Sequence, residues 1–361
     1  MKKIFSLLAT VAILASVVWL FAGKNSYTSA SSPLGLDMSD YLLNNAQDSA
    51  QFMNTVDVLG VKAIKIAIPW QNVEKSAGLF TWSLNPRGTS IDLNDLIKKL
   101  VQKGVSVTLI LDGFPPYLQY ENLSEENIIS TYLQNWQRYV KEAVAQFGDS
   151  VNAWQIGEAV NLPFEIADKP IAVAILSNPA MYAQRLVIAS QVIKEATQND
   201  LVILGGIQSE SGDCRSQPSA FLNSMSLLEV WNAFDVIGID LSTYALAPEG
   251  KIMYQTYDPI SGACLTSAEG GFNLEGILSL VNAAGRQYGE KPIWVTNLAW
   301  QEEDLVKIAE ERGTLVDVVR ADFLSRASLI FLGKQHVGRV YWRYTPAGED
   351  ASGVSLGLVS Q

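Results

Sequence analysis

A glutamate directly follows a short buried segment near the middle of the 361-residue chain. Residues 151–156, VNAWQI, form an apolar run that Gly157 closes, which predicts a buried parallel strand with Glu158 at its end. In α/β folds that end of the sheet is where ligands bind. Further acids follow other predicted strands, at Asp37, Asp112, Glu210 and Asp240. Two carboxyl groups facing each other there could act as general acid and general base.

Eight short apolar segments alternate with helical patterns along the chain. Because these segments are apolar throughout, they predict parallel strands that are covered on both faces. Their predicted bounds are 34–37, 62–68, 105–111, 151–156, 201–206, 234–240, 292–297 and 338–344. Eight such units predict one closed (β/α)8 TIM barrel over residues 31–361, with an open doubly wound sheet as the competing architecture.

The intervening patterns predict helices, among them one over 40–59 and one over 304–333. A third is predicted from Ser124 to about Phe147, since Ser124 is a good N-cap and Glu125 and Glu126 fall in the first turn. These helices connect the strands and cover the outside of the predicted barrel.

Composition excludes several classes of function. The net charge of −11 leaves no basic stripe for phosphates, so no nucleic-acid partner is expected. His336 is the single histidine, which argues against His-cluster metal sites and Ser-His relays. It precedes the last strand, at the bottom of the predicted barrel, where a structural role is expected. We therefore expect neither a metal nor an organic cofactor.

Residues 4–23 are an uncharged apolar run that follows Lys2 and Lys3. A secretory signal could be cleaved after the small residues 28–30, yet about 20 apolar residues also suffice to span a bilayer uncut. Both interpretations assign residues 1–30 to a signal peptide or signal anchor with a linker. The barrel is then exported, either secreted or held on the outer face of the cytoplasmic membrane through residues 4–23.

A family resemblance extends over roughly residues 33–356. It is carried by PWQNVEKSAGLFTWS (69–83), VTLILDGFPPY (107–117), WQIGEAVN (154–161), FDVIGIDLSTY (234–244) and KPIWVTNLAW (291–300). In this order the segments resemble the clan of TIM-barrel retaining glycoside hydrolases, of the cellulase and xylosidase type. The resemblance implies a carbohydrate partner, bound at the carboxyl ends of the strands.

Both catalytic positions of that clan are substituted here. Its fourth strand usually reads W-x-I-x-Asn-Glu-Pro-Asn, and alignment on Trp154, Ile156 and Asn161 puts Glu158 on the Asn and Ala159 on the acid/base Glu. Its seventh strand usually reads K-P-(I/L)-W-(V/I)-T-E, with the nucleophile last. There the chain has an amide, Asn297.

Two supporting positions also depart from the clan. Lys65 stands where the second strand usually has Arg, and Asp240 stands where the sixth usually has His. A shift of one residue in the fourth strand would instead make Glu158 the acid. It would then need a relocated second carboxylate, for example at the 6.5–9.5 Å spacing of inverting enzymes.

The expected binding residues combine charged groups with aromatic rings, which stack on sugars. Trp300 and Trp342 match positions beside the cleft of the clan and are expected to form its floor. The complete predicted binding set is Lys65, Trp70, Asp112, Asn161, Asp240, Tyr244, Trp300 and Trp342. Packing of the barrel rim is the competing role for the aromatic members.

Cys214 and Cys264 are the two cysteines of the chain. They fall in the loops after strands five and six, which are neighbours at the top of a barrel. In an exported protein this arrangement predicts a disulfide that braces the long loop.

Three functional hypotheses follow. The leading one is an exported barrel with a degenerate active site that binds a glycan without retaining hydrolysis. The second is an active glycoside hydrolase that uses Glu158 with a relocated carboxylate. The third is a structural barrel that binds a protein partner.

Overall fold

The computed structural model describes most of the predicted barrel. The described residues are 32–118, 123–162, 177–209, 214–242, 246–252, 255–258, 261, 263–266 and 271–344. The apolar segment 4–23, Glu210 and Tyr244 lie outside them. Within the described residues, no helix combines the length and apolar character that crossing a bilayer requires.

Eight parallel strands close into a barrel. They are β1 (Leu34–Asp37), β2 (Ala63–Pro69), β3 (Ser106–Asp112), β4 (Ala153–Ile156), β5 (Leu201–Gln208), β6 (Val236–Ser242), β7 (Ile293–Ala299) and β8 (Val337–Arg343). Each strand pairs with its sequence neighbours, and β1 pairs with both β2 and β8, which closes the sheet. The predicted TIM-barrel architecture is confirmed, and the open sheet is excluded because it would leave two unpaired edges.

Helices follow most of the strands. They are α1 (Ser49–Leu59), α2 (Leu93–Gln102), α3 (Glu125–Phe147), α4 (Pro179–Ala196), α5 (Pro218–Leu227), α6 (Leu274–Tyr288), α7 (Glu302–Arg312) and α8 (Val316–Leu332). Ser124 caps α3 as predicted, because its hydroxyl accepts a hydrogen bond from the amide of Asn127 at 3.3 Å.

Two of the predicted helices differ from the structure. The region 304–333 forms two helices because the chain turns at Gly313, where φ is 61° and glycine has no steric cost. The region 40–59 begins with a short π-helical turn, Tyr41–Asn45, before α1. Neither difference displaces a strand.

The barrel interior changes character along its axis. A lower layer is apolar and is formed by Ala63, Ala153, Ile203, Val236, Trp294 and Tyr341. Side chains two residues apart on a strand share a face, so the next interior positions are Lys65, Gln155, Thr296 and Arg343. The fold therefore places a polar layer directly above an apolar one, at the end of the barrel where the strands terminate, which we call the mouth.

Candidate functional site

The turn that follows β4 orients Glu158. Ile156 is the last paired residue of β4, and Gly157 then takes a φ of 83° and Ala159 a φ of 48°. A left-handed backbone at alanine is uncommon and costs about 1–2 kcal/mol. Val160 anchors the turn, since its amide donates to the carbonyl of Gly206 at 3.1 Å.

Two glycines of β5 make room for this turn and for the site beside it. A Cβ at Gly205 would overlap Val160, and a Cβ at Gly206 would overlap the carboxyl group of Asp240. The pair Gly205–Gly206 therefore permits the close approach of two neighbouring segments. The sequence shows these glycines, but their purpose is visible only from the contacts.

Lys65 lies at the centre of a group that we call the charged cluster, formed by Asp37, Lys65, Glu158 and Asp240. Its Nζ lies 2.8 Å from Asp37 Oδ2 and 3.3 Å from Glu158 Oε1. The side chains of Lys65 and Asp37 are 0% and 3% exposed, whereas that of Glu158 is 33% exposed. Glu158 is therefore the member of these ion pairs that solvent and ligands can reach.

Asp240 and Asn297 lie opposite each other on adjacent strands. The register of β6 and β7 shifts by one residue, so Val295 pairs with Ile239 and Asn297 pairs with Asp240. Thr296 is the additional residue of this bulge, and its hydroxyl donates to Asp240 Oδ1 at 2.6 Å. The bulge thus places Asn297 next to Asp240 on the neighbouring strand.

Burial and charge act against each other on these groups. Burial raises the pKa of Glu158 to about 7, although Lys65 opposes the change. Burial also raises the pKa of Asp240 above its ordinary value, again opposed by Lys65. Burial alone would lower the pKa of Lys65, but the carboxylates around it outweigh that effect and raise it. Lys65 therefore stays protonated, whereas Glu158 and Asp240 bind protons at a higher pH than ordinary carboxyl groups do.

Arg343 and Asp112 complete the surroundings of Glu158. Arg343 Nε lies 2.8 Å from Asp40 Oδ2, so this cation is already paired. Asp112 accepts a hydrogen bond from the amide of Glu158 at 3.0 Å and forms an ion pair with Arg185 at 2.6 Å. Asp112 thus holds the backbone of the β4 turn, and its side chain is 25% exposed, so its predicted contact with a ligand stays a prediction.

Asn161 connects two loops of the barrel mouth. Its Nδ2 donates to the carbonyls of Gln208 at 2.9 Å and Ser216 at 2.5 Å, and its Oδ1 accepts from the amide of Gln208 at 2.7 Å. Since the amide is occupied by the backbone and 8% exposed, its geometry favours a structural role over the predicted binding role.

Trp70 belongs to a buried network beside the barrel. It is 0% exposed, stacks on Tyr139 at 5.1 Å between ring centroids, and donates from Nε1 to Glu74 Oε2 at 2.6 Å. Glu74 also accepts from the amide of Gly78 at 2.6 Å and pairs with Arg138 at 2.7 Å. This burial argues against the predicted contact of Trp70 with a sugar.

Trp300 and Trp342 pack against each other, with 6.0 Å between ring centroids. Trp300 also contacts Phe323 of α8 at 5.4 Å, and its Nε1 donates to the carbonyl of Leu246 at 3.0 Å. The two indoles are 5% and 6% exposed. They lie between the strands and the helix layer, so the predicted cleft floor is not formed by open indole faces.

The predicted disulfide is confirmed. Cys214 and Cys264 are bonded, with 5.7 Å between their Cα atoms. Cys264 lies in a two-stranded hairpin formed by Gln255–Tyr257 and Cys264–Thr266. The bond joins the loop after β5 to the long loop after β6, beside the mouth.

Gln155, Thr296 and Arg185 contribute to the site but were not predicted. Gln155 and Thr296 are polar residues within apolar strands, and both are completely buried. That unusual placement was a usable signal, since buried polar groups need partners. Arg185 lies on a helix far from Asp112 in sequence, and no spacing rule reveals their contact. The described residues contain no group of three acidic, histidine or cysteine side chains placed to hold a metal.

Comparisons with known proteins relate the chain to glycoside hydrolases by fold. No protein-family model and no curated protein matches the sequence. A family 39 glycoside hydrolase from Bacteroides cellulosilyticus WH2 aligns over 91% of this chain with a TM-score of 0.59 and 16% identity, and the chain spans 60% of its length.

Two further solved structures have similar scores. The β-glycosidase BGL167 aligns with a TM-score of 0.56 and 15% identity, over 86% of this chain and 80% of its own. A β-glucosidase from Thermotoga maritima, in complex with deoxynojirimycin, aligns with a TM-score of 0.56 and 12% identity, over 92% of this chain and 93% of its own. At such identities the likeness establishes the fold that these enzymes share with the chain.

Proposed function

We propose that the protein is an exported glycan-binding barrel whose retaining hydrolytic site is degenerate. The observation that carries the proposal is the chemistry of the two strand-end positions. Ala159 presents a methyl group and Asn297 an amide, where the resembling enzymes have two glutamates. The nearby carboxyl group of Glu158 is paired with Lys65 at 3.3 Å.

These substitutions remove the two chemical steps of retaining hydrolysis. That mechanism needs two carboxyl groups about 5–5.5 Å apart, one as acid/base and one as nucleophile. Loss of a general acid alone costs roughly 10²–10⁴ in rate. An amide carries no charge and is a poor nucleophile, so a glycosyl-enzyme would not form at Asn297.

Binding does not require those groups. The mouth presents charged and hydrogen-bonding side chains at the position where this fold holds its ligands. Sugar hydroxyls can donate to carboxylates and accept from cations, so Glu158 and Arg343, which are 33% and 31% exposed, are suited to a glycan. This supports carbohydrate as the ligand class.

Export is part of the proposal. The disulfide between Cys214 and Cys264 is typical of proteins that fold in an oxidising compartment. The apolar residues 4–23 after two lysines provide the targeting segment, either cleaved or retained as an anchor. Secretion or attachment to the outer face of the cytoplasmic membrane follows.

One observation favours a second candidate, an active hydrolase that uses Glu158. A general acid works best when its pKa is near the operating pH, and burial raises the pKa of Glu158 to about 7. Asp37 or Asp240 would then be the second carboxylate. This candidate predicts turnover that depends on Glu158.

A glycan panel separates these functions. The full-length chain is assayed for binding and for product release on the same samples, beside Glu158→Gln. Asp95→Asn is the matched control, because Asp95 is an exposed carboxylate that pairs with Lys99 on α2 and forms no ion pair with the charged cluster. We expect binding without product release, and no effect of the control substitution.

Each other outcome identifies a different function. Turnover that Glu158→Gln abolishes would contradict the degenerate site and establish the active hydrolase. Absence of binding to every glycan would contradict both proposals and favour the structural, partner-binding barrel.

A further inference from the structure

The charged cluster holds more acid than base. Asp37, Glu158 and Asp240 all act electrostatically on the one ammonium of Lys65. Arg343 also acts on these three carboxyl groups, but it is paired with a fourth, Asp40, at 2.8 Å, so the acidic excess remains. Four carboxyl groups, those of Asp37, Asp40, Glu158 and Asp240, therefore share two cations in a largely buried site, where unpaired charge is costly.

A buried acceptor adds to this excess. Gln155 faces the barrel interior and is 0% exposed, and its Nε2 donates to the carbonyl of Gly157 at 2.9 Å. That bond fixes the orientation of the amide, so Oε1 is the remaining acceptor, and no described residue donates to it. The interior layer thus offers carboxylate and amide oxygens in excess of donors.

The charged cluster is better suited to a ligand group with one positive charge than to a metal ion. The ammonium of Lys65 lies between the carboxylates and would repel a divalent cation. The described residues also provide no three-ligand metal geometry. The two indoles expected to stack on sugar rings are buried against α8. Charge and hydrogen bonding are therefore the means of recognition that the described part of the mouth offers.

Glu158 is the carboxylate that a ligand meets first. Its side chain is 33% exposed, while those of Lys65 and Asp37 are 0% and 3% exposed. Only Oε1 contacts Lys65, and no described residue donates a hydrogen bond to Oε2. An incoming ammonium could therefore bind Oε2 without breaking the existing pair.

We propose that the mouth recognises a sugar that carries a protonated amine, a deacetylated amino sugar, and that Glu158 Oε2 receives the amine. The inference rests on the proposed glycan-binding function and specifies its ligand class. An ammonium supplies both the positive charge and the hydrogen-bond donors that the charged cluster lacks. An N-acetyl group or a hydroxyl at the same position supplies no charge.

Calorimetric titration of the full-length chain tests this. Three probes of equal length are used at low salt and near pH 7: an oligomer of glucosamine, one of N-acetylglucosamine and one of glucose. We expect the glucosamine oligomer to bind roughly tenfold or more tighter than the other two, the size of one charge-assisted hydrogen bond. This preference should shrink as salt is raised.

Variants assign the preference to its residue. Glu158→Gln keeps the shape and should remove most of the preference for the amine, whereas Asp95→Asn should retain it. Equal binding of all three probes by the native chain would overturn the inference and leave the glycan-binding function standing. Absence of binding to any probe and to the wider panel would overturn the function itself. A preference that Glu158→Gln retains would show that the amine binds elsewhere.

Discussion

Glu74 and Glu158 both follow a barrel strand and both lie against a cation, but their surroundings differ. Glu74 is completely buried and accepts from the indole of Trp70, the amide of Gly78 and the guanidinium of Arg138, all within 2.7 Å. Glu158 accepts one bond from Lys65, at 3.3 Å, and is one third exposed.

The comparison separates a carboxylate that holds the fold together from one that is available to a ligand. Glu74 accepts from three donors and its side chain is 0% exposed, so a ligand cannot reach its oxygens. Glu158 keeps an unoccupied oxygen in a site that is poor in cations. Both lie in segments that resemble glycosidases, so resemblance alone does not distinguish their roles.

Removing the cation of the charged cluster should have the largest effect. Lys65→Met leaves Asp37 and Glu158 without their partner, and breaking a buried pair in this way costs about 3–5 kcal/mol of unfolding free energy. The loss should be smaller at pH 5 than at pH 8, since protonation neutralises the remaining carboxyl groups. Urea unfolding at both pH values measures it.

An exposed pair provides the control for that substitution. Lys99 pairs with Asp95 on the surface, where both side chains are about half exposed, so Lys99→Met should change stability by less than about 1 kcal/mol. If Lys65→Met and Lys99→Met lowered the unfolding free energy equally, the buried ion pairs of Lys65 would contribute no more to stability than an exposed pair does.

Substituting the fully engaged glutamate should have the next largest effect. Glu74→Gln replaces one acceptor oxygen with a donor that faces other donors, and it removes the charge opposite Arg138. We expect a loss of about 2–4 kcal/mol, measured by urea unfolding. A loss below about 1 kcal/mol would contradict the structural role of Glu74.

The raised pKa of Glu158 predicts a specific pH dependence. A carboxyl group with a pKa of about 7 in the folded state, against an ordinary value of 4.5, stabilises the fold most below its ordinary value. This contribution is lost as pH rises from about 4.5 to about 7. The native chain should therefore lose stability relative to Glu158→Gln across that window, and urea midpoints at intervals of pH measure the difference. A constant difference would contradict the raised pKa.

The smallest effect is expected for Glu158→Gln at neutral pH. The ion pair with Lys65 is long and partly exposed, and the substitution relieves the crowding of carboxylates. Unfolding free energy should stay within about 1 kcal/mol of the native value. A loss as large as that of Glu74→Gln would remove the distinction between the two glutamates.

The barrel could be predicted from the sequence because its strands are uniformly apolar and its helices follow them. The predicted first strand, 34–37, coincides with Leu34–Asp37, and the fifth, 201–206, lies within Leu201–Gln208. The split at Gly313 was harder to predict, since an isolated glycine is tolerated within a helix. Periodicity therefore gives the elements, while their ends depend on local turns.

The site could be predicted only in part. The position of Glu158 followed from one strand, but its pairing with Lys65 depends on the register between strands that lie 93 residues apart. The roles expected of Trp300 and Trp342 came from resemblance, yet Trp300 packs between Phe323 and Trp342, and both indoles are buried. Which face an aromatic residue presents depends on neighbours that a linear pattern does not contain.

The left-handed backbone at Ala159 has a consequence for protein engineering. A glutamate restored at this position inherits a φ of 48°, a conformation that side chains rarely adopt. If the backbone at this position changed to a more favourable φ, Val160 would move away from Gly205, against which it packs. The turn that orients Glu158 would move as well. Engineering a hydrolase from this scaffold would therefore require replacement of the whole turn after β4. Substituting glutamate for Ala159 and Asn297 would restore the two carboxyl groups, but it would not supply the backbone conformation that orients them.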